Sequence, residues 1–365
     1  MSARNPFTPN FGQVPLVLAG RDRLIDEVEN AFDNAPGDPS LTSIFIGARG
    51  TGKTALLSLL ANAAESRGWI SVNVPCVPGM LEEIAQGALA ASEHLVDHGG
   101  VSRLTALSVG QLVGAQWENE GSPTPTWRLR MASILDTLQE HGVGLLITVD
   151  EVRPELDEMR LLASYYQLFV REERRISLLM AGLPSEVSQL LNDRSVSFLR
   201  RASQYHLGSI GDVDAEVVLS QTARAGEKEY SGSALGLSVG AAQGFPFMLQ
   251  LIGYRSWQAA PADRIDEDVA RLGVERASVD LKQRVLKATL DELSDVDLAF
   301  LEAMLVDGRV SATSDIAKRM GKDANYVSQY RRRLVERGII GARGRGKVAF
   351  EMPLMREYLP EYLEG

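Results

Sequence analysis

Only one cysteine, Cys76, and four histidines occur among the 365 residues. A lone thiol excludes an intrachain disulfide and a cysteine-based zinc site. Long apolar runs are also missing: none approaches the ~18–20 residues that a membrane span requires. The first residues, Met1-Ser2-Ala3-Arg4-Asn5-Pro6, lack the apolar segment of a secretory signal. The expected location is therefore the cytoplasm, with no membrane partner. No internal repeat is visible. His94 and His98 stand at i, i+4, but no Glu or third ligand accompanies them, so they read as solvated side chains rather than a metal site.

What is present is the composition of a globular protein, with 45% hydrophobic and 24% charged residues. The length exceeds one core of ordinary size and predicts two or three domains. A net charge of −10 argues against nucleic-acid binding by the whole surface. That average hides an asymmetry. Between Arg309 and Lys347 eleven Lys/Arg stand against three acids (Asp315, Asp323, Glu336), a local excess of +8. Such segregation suggests that one end meets a polyanion while the rest does not.

The most informative stretch is Gly47-Ala48-Arg49-Gly50-Thr51-Gly52-Lys53-Thr54. An apolar, β-rich segment (Leu41 to Ile46) precedes it, and a strong helix former (Ala55 to Ala61) follows. Strand, glycine-rich loop and helix make a phosphate cradle in which backbone N–H groups turn inward around an anion. Lys53 can reach the β- and γ-phosphates, and the Thr54 hydroxyl can coordinate Mg²⁺. The loop residues, through Ala55, are therefore candidates for binding a nucleoside triphosphate.

Organisation along the chain agrees. A proline-punctuated arm (Pro6 to Pro15) leads to Gly20-Arg21 and a helix from Asp22 to Phe32. Trp69 to Val74 reads as a strand, Met80 to Leu95 as a helix, and Gly99 to Thr126 as a hairpin-like insertion of unknown role. Trp127 to Glu140 and Leu156 to Arg174 read as helices; Gly144 to Val149, Ile176 to Ala181 and Tyr205 to Ile210 as strands. Strands separated by helices of this length indicate parallel βαβ units. From Asp212 onward the strand signal vanishes and helices take over.

The second half of a nucleotide site is Leu145-Leu146-Ile147-Thr148-Val149-Asp150-Glu151. A buried strand can end in two acids at low cost when they stand at its carboxyl end, facing the ligand crevice. There Asp150 would hold the Mg²⁺ shell, and Glu151 would orient and deprotonate a water for attack on the γ-phosphate.

With both motifs in place, the chain resembles the AAA+ superfamily of P-loop ATPases over nearly its whole length. Within it, the likeness is to the origin-recognition and replication-initiator branch and related bacterial ATPases. The resemblance implies ATP with Mg²⁺, and places Val17 and Leu18 by the base, beside a Gly-Arg motif at Gly20-Arg21. It identifies Phe198-Leu199-Arg200-Arg201 as the site of an arginine finger, which would need a homo-oligomer. Two departures stand out. Leu178-Leu179-Met180-Ala181-Gly182-Leu183-Pro184 holds no polar sensor, so the first sensor is either missing or replaced by Ser185. Gly244-Phe245-Pro246-Phe247 stands where relatives carry a lid arginine, and resembles the STAND class of signalling ATPases, in which the proline lies near adenine. Both departures imply slow hydrolysis or a nucleotide switch.

At the basic end, Ser294 can cap a helix through Leu298, Leu301, Met304 and Leu305. Ser314 to Met320 is a second helix and Asn325 to Arg337 a third, packing through Val327 and Leu334. Tyr326, Ser328 and the candidate DNA contacts Asn325, Gln329, Arg332 and Arg333 would face outward. Ile339 to Phe350 reads as a hairpin with a basic tip at Arg343, Arg345 and Lys347. Three helices and a basic hairpin look like a winged helix, whose third helix enters the major groove of double-stranded DNA. The whole is expected to be an α/β P-loop ATPase of AAA+ type: core 1–210, helical lid 211–275 and winged-helix domain 276–365. Its expected function is an ATP-dependent switch coupled to DNA binding; the alternative is a signalling ATPase whose last module grips protein instead.

Overall fold

The computed structural model describes residues 4–10, 13–98 and 126–364. The insertion read at Gly99 to Thr126 lies outside the described residues except for Thr126. Strands β1 (Thr42–Gly47), β2 (Trp69–Pro75), β3 (Gly144–Asp150), β4 (Ile176–Gly182) and β5 (Ser203–Leu207) form one parallel sheet in the order β2-β3-β4-β1-β5. The last strand starts two residues earlier than its apolar pattern suggests and ends at Leu207.

Both faces of this sheet are covered, which is why β3 and β4 read as continuous apolar runs. Ile44, Leu145, Ile147, Leu178 and Met180 pack on one side with the helices Met80–His98, Trp127–Glu140 and Asp157–Arg171. Phe45, Leu146, Leu179 and Ala181 pack on the other with Asp22–Asp33 and Lys53–Glu65. Each fully buried Leu, Ile or Phe side chain contributes about 1.5–3 kcal/mol by leaving water. Because β1 neighbours β4 rather than β2, the connections diverge there and open a crevice at the strands' carboxyl ends.

Helices Asp212–Ala225, Gly232–Ala242, Pro246–Ala259 and Glu267–Leu281 build the lid, with a two-residue parallel pair, β6 (Glu229–Tyr230) and β7 (Arg264–Ile265), between them. Strands this short carry no periodicity, so the helical reading of this region missed them. The N-terminal arm is strapped to the lid: Phe7 is buried, Gln250 Oε1 accepts a hydrogen bond from Thr8 N at 3.0 Å, and Asn5 Nδ2 donates to Tyr254 O at 3.0 Å. Gly253 makes room for the strap, since a Cβ there would lie 2.2 Å from the Phe7 ring.

The last lid helix passes through a π-helical turn, Lys282–Leu286, into Lys287–Asp291, and the C-terminal module follows. It comprises the helix Asp295–Leu305, β8 (Ser311–Ala312), the helices Thr313–Met320 and Ala324–Glu336, β9 (Ile340–Ala342), β10 (Lys347–Phe350) and a final helix Met355–Glu364. The strands form an antiparallel sheet in the order β8-β10-β9. This is the winged-helix arrangement. Ser294 and Asp297 make a reciprocal capping box at the first helix, and Asp323 caps the third by accepting from Tyr326 N at 2.9 Å. β8 and the final helix were not legible in the sequence.

Candidate nucleotide site and the docked C-terminal module

β1 delivers the chain to a loop in which Gly50 and Gly52 take φ of +80° and +88°. No side chain fits at Gly50, because a Cβ there would lie 2.6 Å from the Phe245 ring of the lid. Lys53, the first residue of the following helix, donates from Nζ to the carbonyls of Gly47 and Ala48, both at 2.9 Å. Burial pushes its pKa below that of an ordinary lysine, opposed by the charges of Asp150, Glu151 and Glu186. Next to it, Thr54 Oγ1 donates to Asp150 Oδ2 at 2.6 Å, so the two residues proposed for the metal converge on one point. Glu151 leaves β3 with φ +53°, a left-handed conformation that costs free energy in a non-glycine residue, and its N–H donates to Asp150 Oδ1 at 2.9 Å.

These groups line one cavity of about 520 Å³. Arg49, Gly50, Gly52, Lys53, Thr54 and Ala55 form its floor, Asp150 and Glu151 one wall, and Pro246 and Phe247 the lid side. The lid is tied to the loop by Phe247 N donating to Gly50 O at 3.2 Å. Gly47, Ala48 and Thr51 are not among the cavity's lining residues; Thr51 is buried, with Oγ1 donating to Ala48 O at 2.8 Å.

Several expected participants stand elsewhere. Val17 and Leu18 do not line the cavity; Thr8, Asn10, Gln13 and Pro15 of the strapped arm do. The arm's docking on Gln250 and Gly253 put it there, an approach across more than 240 residues that no local pattern announces. Arg21 donates from Nη2 to Gly208 O and is likewise absent from the lining. Arg200 donates from Nε to Leu191 O at 2.7 Å, Arg201 is exposed, and neither reaches the cavity of its own chain. Ser185, the expected sensor replacement, faces a neighbouring cavity of about 210 Å³. Glu186 lines both cavities. Burial and the nearby Glu155 and Glu151 raise its pKa, while the Leu183 N–H it accepts and Lys53 oppose the rise. Arg153 and Arg284 also line the cavity. A pentapeptide with Gly-x-Ser-x-Gly spacing, Gly236 to Gly240, lies wholly inside a helix with Ser238 buried, so it is not a nucleophile elbow.

In the module, Asn325, Ser328, Gln329 and Arg332 are exposed on the third helix, and Arg345 and Lys347 on the hairpin tip. Tyr326 is half-buried and packs at a tilt against Tyr330, with 4.9 Å between ring centroids. Arg333 is only partly exposed and is engaged within the module. Its Nε donates to Asp297 Oδ1 at 2.9 Å, its Nη2 to Ser294 Oγ at 2.8 Å and to Asp297 Oδ2, and its guanidinium lies over Tyr330. Asp297 is 1% exposed, and a buried carboxylate needs that cation. Arg343 is turned back onto Glu351 at 2.7 Å.

The module's other end rests on the phosphate loop. Gly338, with φ +69°, lies so near that a Cβ on it would be 2.5 Å from Ala48 Cβ. Arg49 Nη1 pairs with Glu292 Oε1 at 2.8 Å, and Arg337 Nη1 donates to the Glu292 carbonyl at 2.9 Å.

Comparison with solved structures settles the fold. The Walker-type ATPase PABY2304 of Pyrococcus abyssi superposes with a TM-score of 0.67 at 12% identity, covering 94% of this chain and 96% of that one. The ORC2 protein of Aeropyrum pernix, solved in ADPNP–ADP complexes, superposes with 0.66 at 15% identity, covering 98% and 96%. Cdc6p from Pyrobaculum aerophilum gives 0.50 at 16% identity, covering 98% and 97%. The chain has the AAA+ P-loop fold. Residues 283–359 match a family described as Domain of unknown function (DUF8462). No curated protein matches the sequence. Among the described residues no helix is long and apolar enough to cross a membrane, and no group of three or more His, Cys, Asp or Glu could hold a metal.

Proposed function

We propose that the chain binds ATP with Mg²⁺, hydrolyses it slowly, and acts as a nucleotide-dependent switch coupled to double-stranded DNA binding through its winged helix. The observation that carries this reading is the meeting of Lys53, Thr54, Asp150 and Glu151 with the lid residues Pro246 and Phe247 around one cavity. The nucleotide complex of the Aeropyrum structure supports it. In this reading the chain has three working parts, with boundaries near residues 210 and 275.

The backbone N–H groups of the loop and the helix N-terminus at Lys53 hold the β- and γ-phosphates, and Lys53 exchanges its two carbonyl partners for phosphate oxygen. A hydroxyl and a carboxylate oxygen 2.6 Å apart, beside the phosphate cradle, suit a hard cation with oxygen ligands, so Thr54 and Asp150 are the residues that would hold Mg²⁺. Bound there, Mg²⁺ would supply charge neutralisation on the phosphates. Glu151 orients water and takes its proton. Pro246 and Phe247 cover the base side. Slow turnover follows from the apolar end of β4, where Gly182 and Leu183 offer no side chain to polarise the water. Arg200 and Arg201, remote from their own cavity, would act on a neighbouring subunit's γ-phosphate in a homo-oligomer. A chain that draws on ATP and carries one cysteine belongs, on this reading, in the cytoplasm.

Asn325 and Gln329 would read base edges, and Arg332, Arg343, Arg345 and Lys347 would hold phosphate. The docking of the module on the phosphate loop favours one second reading, a signalling ATPase whose module contacts protein. Titration with duplex DNA separates the two, because DNA binding weakens steeply with salt. Lys53→Ala tests the site itself: isothermal titration with ATP and Mg²⁺ is expected to show no binding, and full affinity would refute the assignment.

A further inference from the structure

The boundary between the two cavities is made by residues they share: Arg49, Leu183, Glu186 and Glu292. Two of these, Arg49 of the phosphate loop and Glu292 of the segment entering the C-terminal module, are joined by an ion pair at 2.8 Å. We propose that Arg49 is a coupling residue with two alternative partners, Glu292 and the phosphates of bound ATP, so that ATP binding releases the C-terminal module from the phosphate loop. The inference rests on the nucleotide reading above and assigns that site its regulation.

Three features carry it. First, the pair is weak enough to exchange. Arg49 and Glu292 are 45% and 55% exposed, and pairs in that condition contribute little, whereas a guanidinium bound to a phosphate makes stronger, charge-assisted hydrogen bonds. Second, Glu292 is held in place from the module's side by Arg337, which donates to its carbonyl at 2.9 Å, so loss of the pair is felt at the end of the helix Ala324–Glu336. Third, the packing beside it has no slack. Ala48 and Gly338 approach so closely that a Cβ on Gly338 would sit at 2.5 Å, and a loop tightening around phosphate displaces whatever rests on Ala48. The same rigid helix carries Asn325, Gln329 and Arg332 on its exposed face. Docking on the phosphate loop and DNA contact are thus properties of one element, and a change at either end biases the other.

The test uses the full-length protein and two variants: Glu292→Gln, at the boundary shared by the two cavities, and Arg337→Ala, which lies outside the nucleotide cavity. ATP affinity is measured by isothermal titration with Mg²⁺, and docking by hydrogen exchange of residues 334–340. In wild type, ATP is expected to speed exchange of that segment. Glu292→Gln is expected to show the faster exchange without nucleotide and to bind ATP about two- to five-fold tighter, because Arg49 no longer has to leave a partner. Arg337→Ala is expected to reproduce the faster exchange. Wild-type protein that binds ATP with unchanged exchange at 334–340, or Glu292→Gln with wild-type affinity, overturns the coupling and leaves the nucleotide site standing. Wild-type protein that binds no ATP overturns both.

Discussion

Arg333 separates two accounts of the third helix of the C-terminal module. By residue type it belongs with the DNA contacts; by position it neutralises Asp297. Truncation to Ala would leave the Asp297 carboxylate, 1% exposed, with only the Ser294 N–H at 3.1 Å and hydroxyl at 2.8 Å. Removing one partner of a buried pair costs about 3–5 kcal/mol. Because the Arg333 side chain is 42% exposed, water can reach the gap, and about 2 kcal/mol is the better expectation. That corresponds to roughly 30-fold faster hydrogen exchange across residues 324–336 if exchange follows local opening. Asp297→Asn on the same background should recover part of the loss, since an amide tolerates burial without a counter-charge. Arg332→Ala should do the reverse: unchanged protection, with the salt slope of DNA binding reduced by about 0.9 for each phosphate no longer neutralised. Arg333→Ala with wild-type protection and a reduced salt slope would refute the structural role and return the residue to the DNA surface.

Glu151→Gln should bind ATP as wild type and lose turnover by about 10²–10⁴-fold, the usual yield of a positioned base, measured by single-turnover phosphate release. Arg201→Ala should keep ATP affinity, lose turnover, and be partly rescued by mixing with Glu151→Gln protein; turnover per subunit that is constant on dilution, with no rescue, would show that the arginine does not act between subunits. Asp307 is held at a pKa of about 2 by its hydrogen bonds to Arg319, below the ordinary aspartate value. A depressed acid stabilises the fold above its unfolded pKa and loses that contribution as pH falls from about 4 to 2. Urea unfolding of wild type and Asp307→Asn should therefore differ most at pH 7 and converge towards pH 2; a gap independent of pH would contradict the pairing.

The phosphate cradle was legible in the sequence because it is local: a strand, three glycines, Lys53 and Thr54 follow one another, and their backbone conformation needs little from the rest of the chain. The strand ending at Asp150 and Glu151 was legible for a related reason, since a run buried on both faces must be apolar and can end in acids only at its open end. The helices of the basic module followed from apolar spacing and, for the first, a cap at Ser294. What the sequence could not determine is which distant groups these elements meet. Thr8, Asn10, Gln13 and Pro15, rather than Val17 and Leu18, line the cavity because Phe7 is buried against Gly253, more than two hundred residues away. Arg333 reads as outward in the sequence because its partner, Asp297, belongs to another helix, and a helical face shows its direction but not the charge it will face. Arg49 and Glu292, and Ala48 and Gly338, are separated by more than 240 residues and joined only by the packing of the C-terminal module. Local conformation follows from backbone preference and apolar period, which neighbours in sequence supply. Pairing across the fold follows from which surfaces close on each other, and only the tertiary structure decided that.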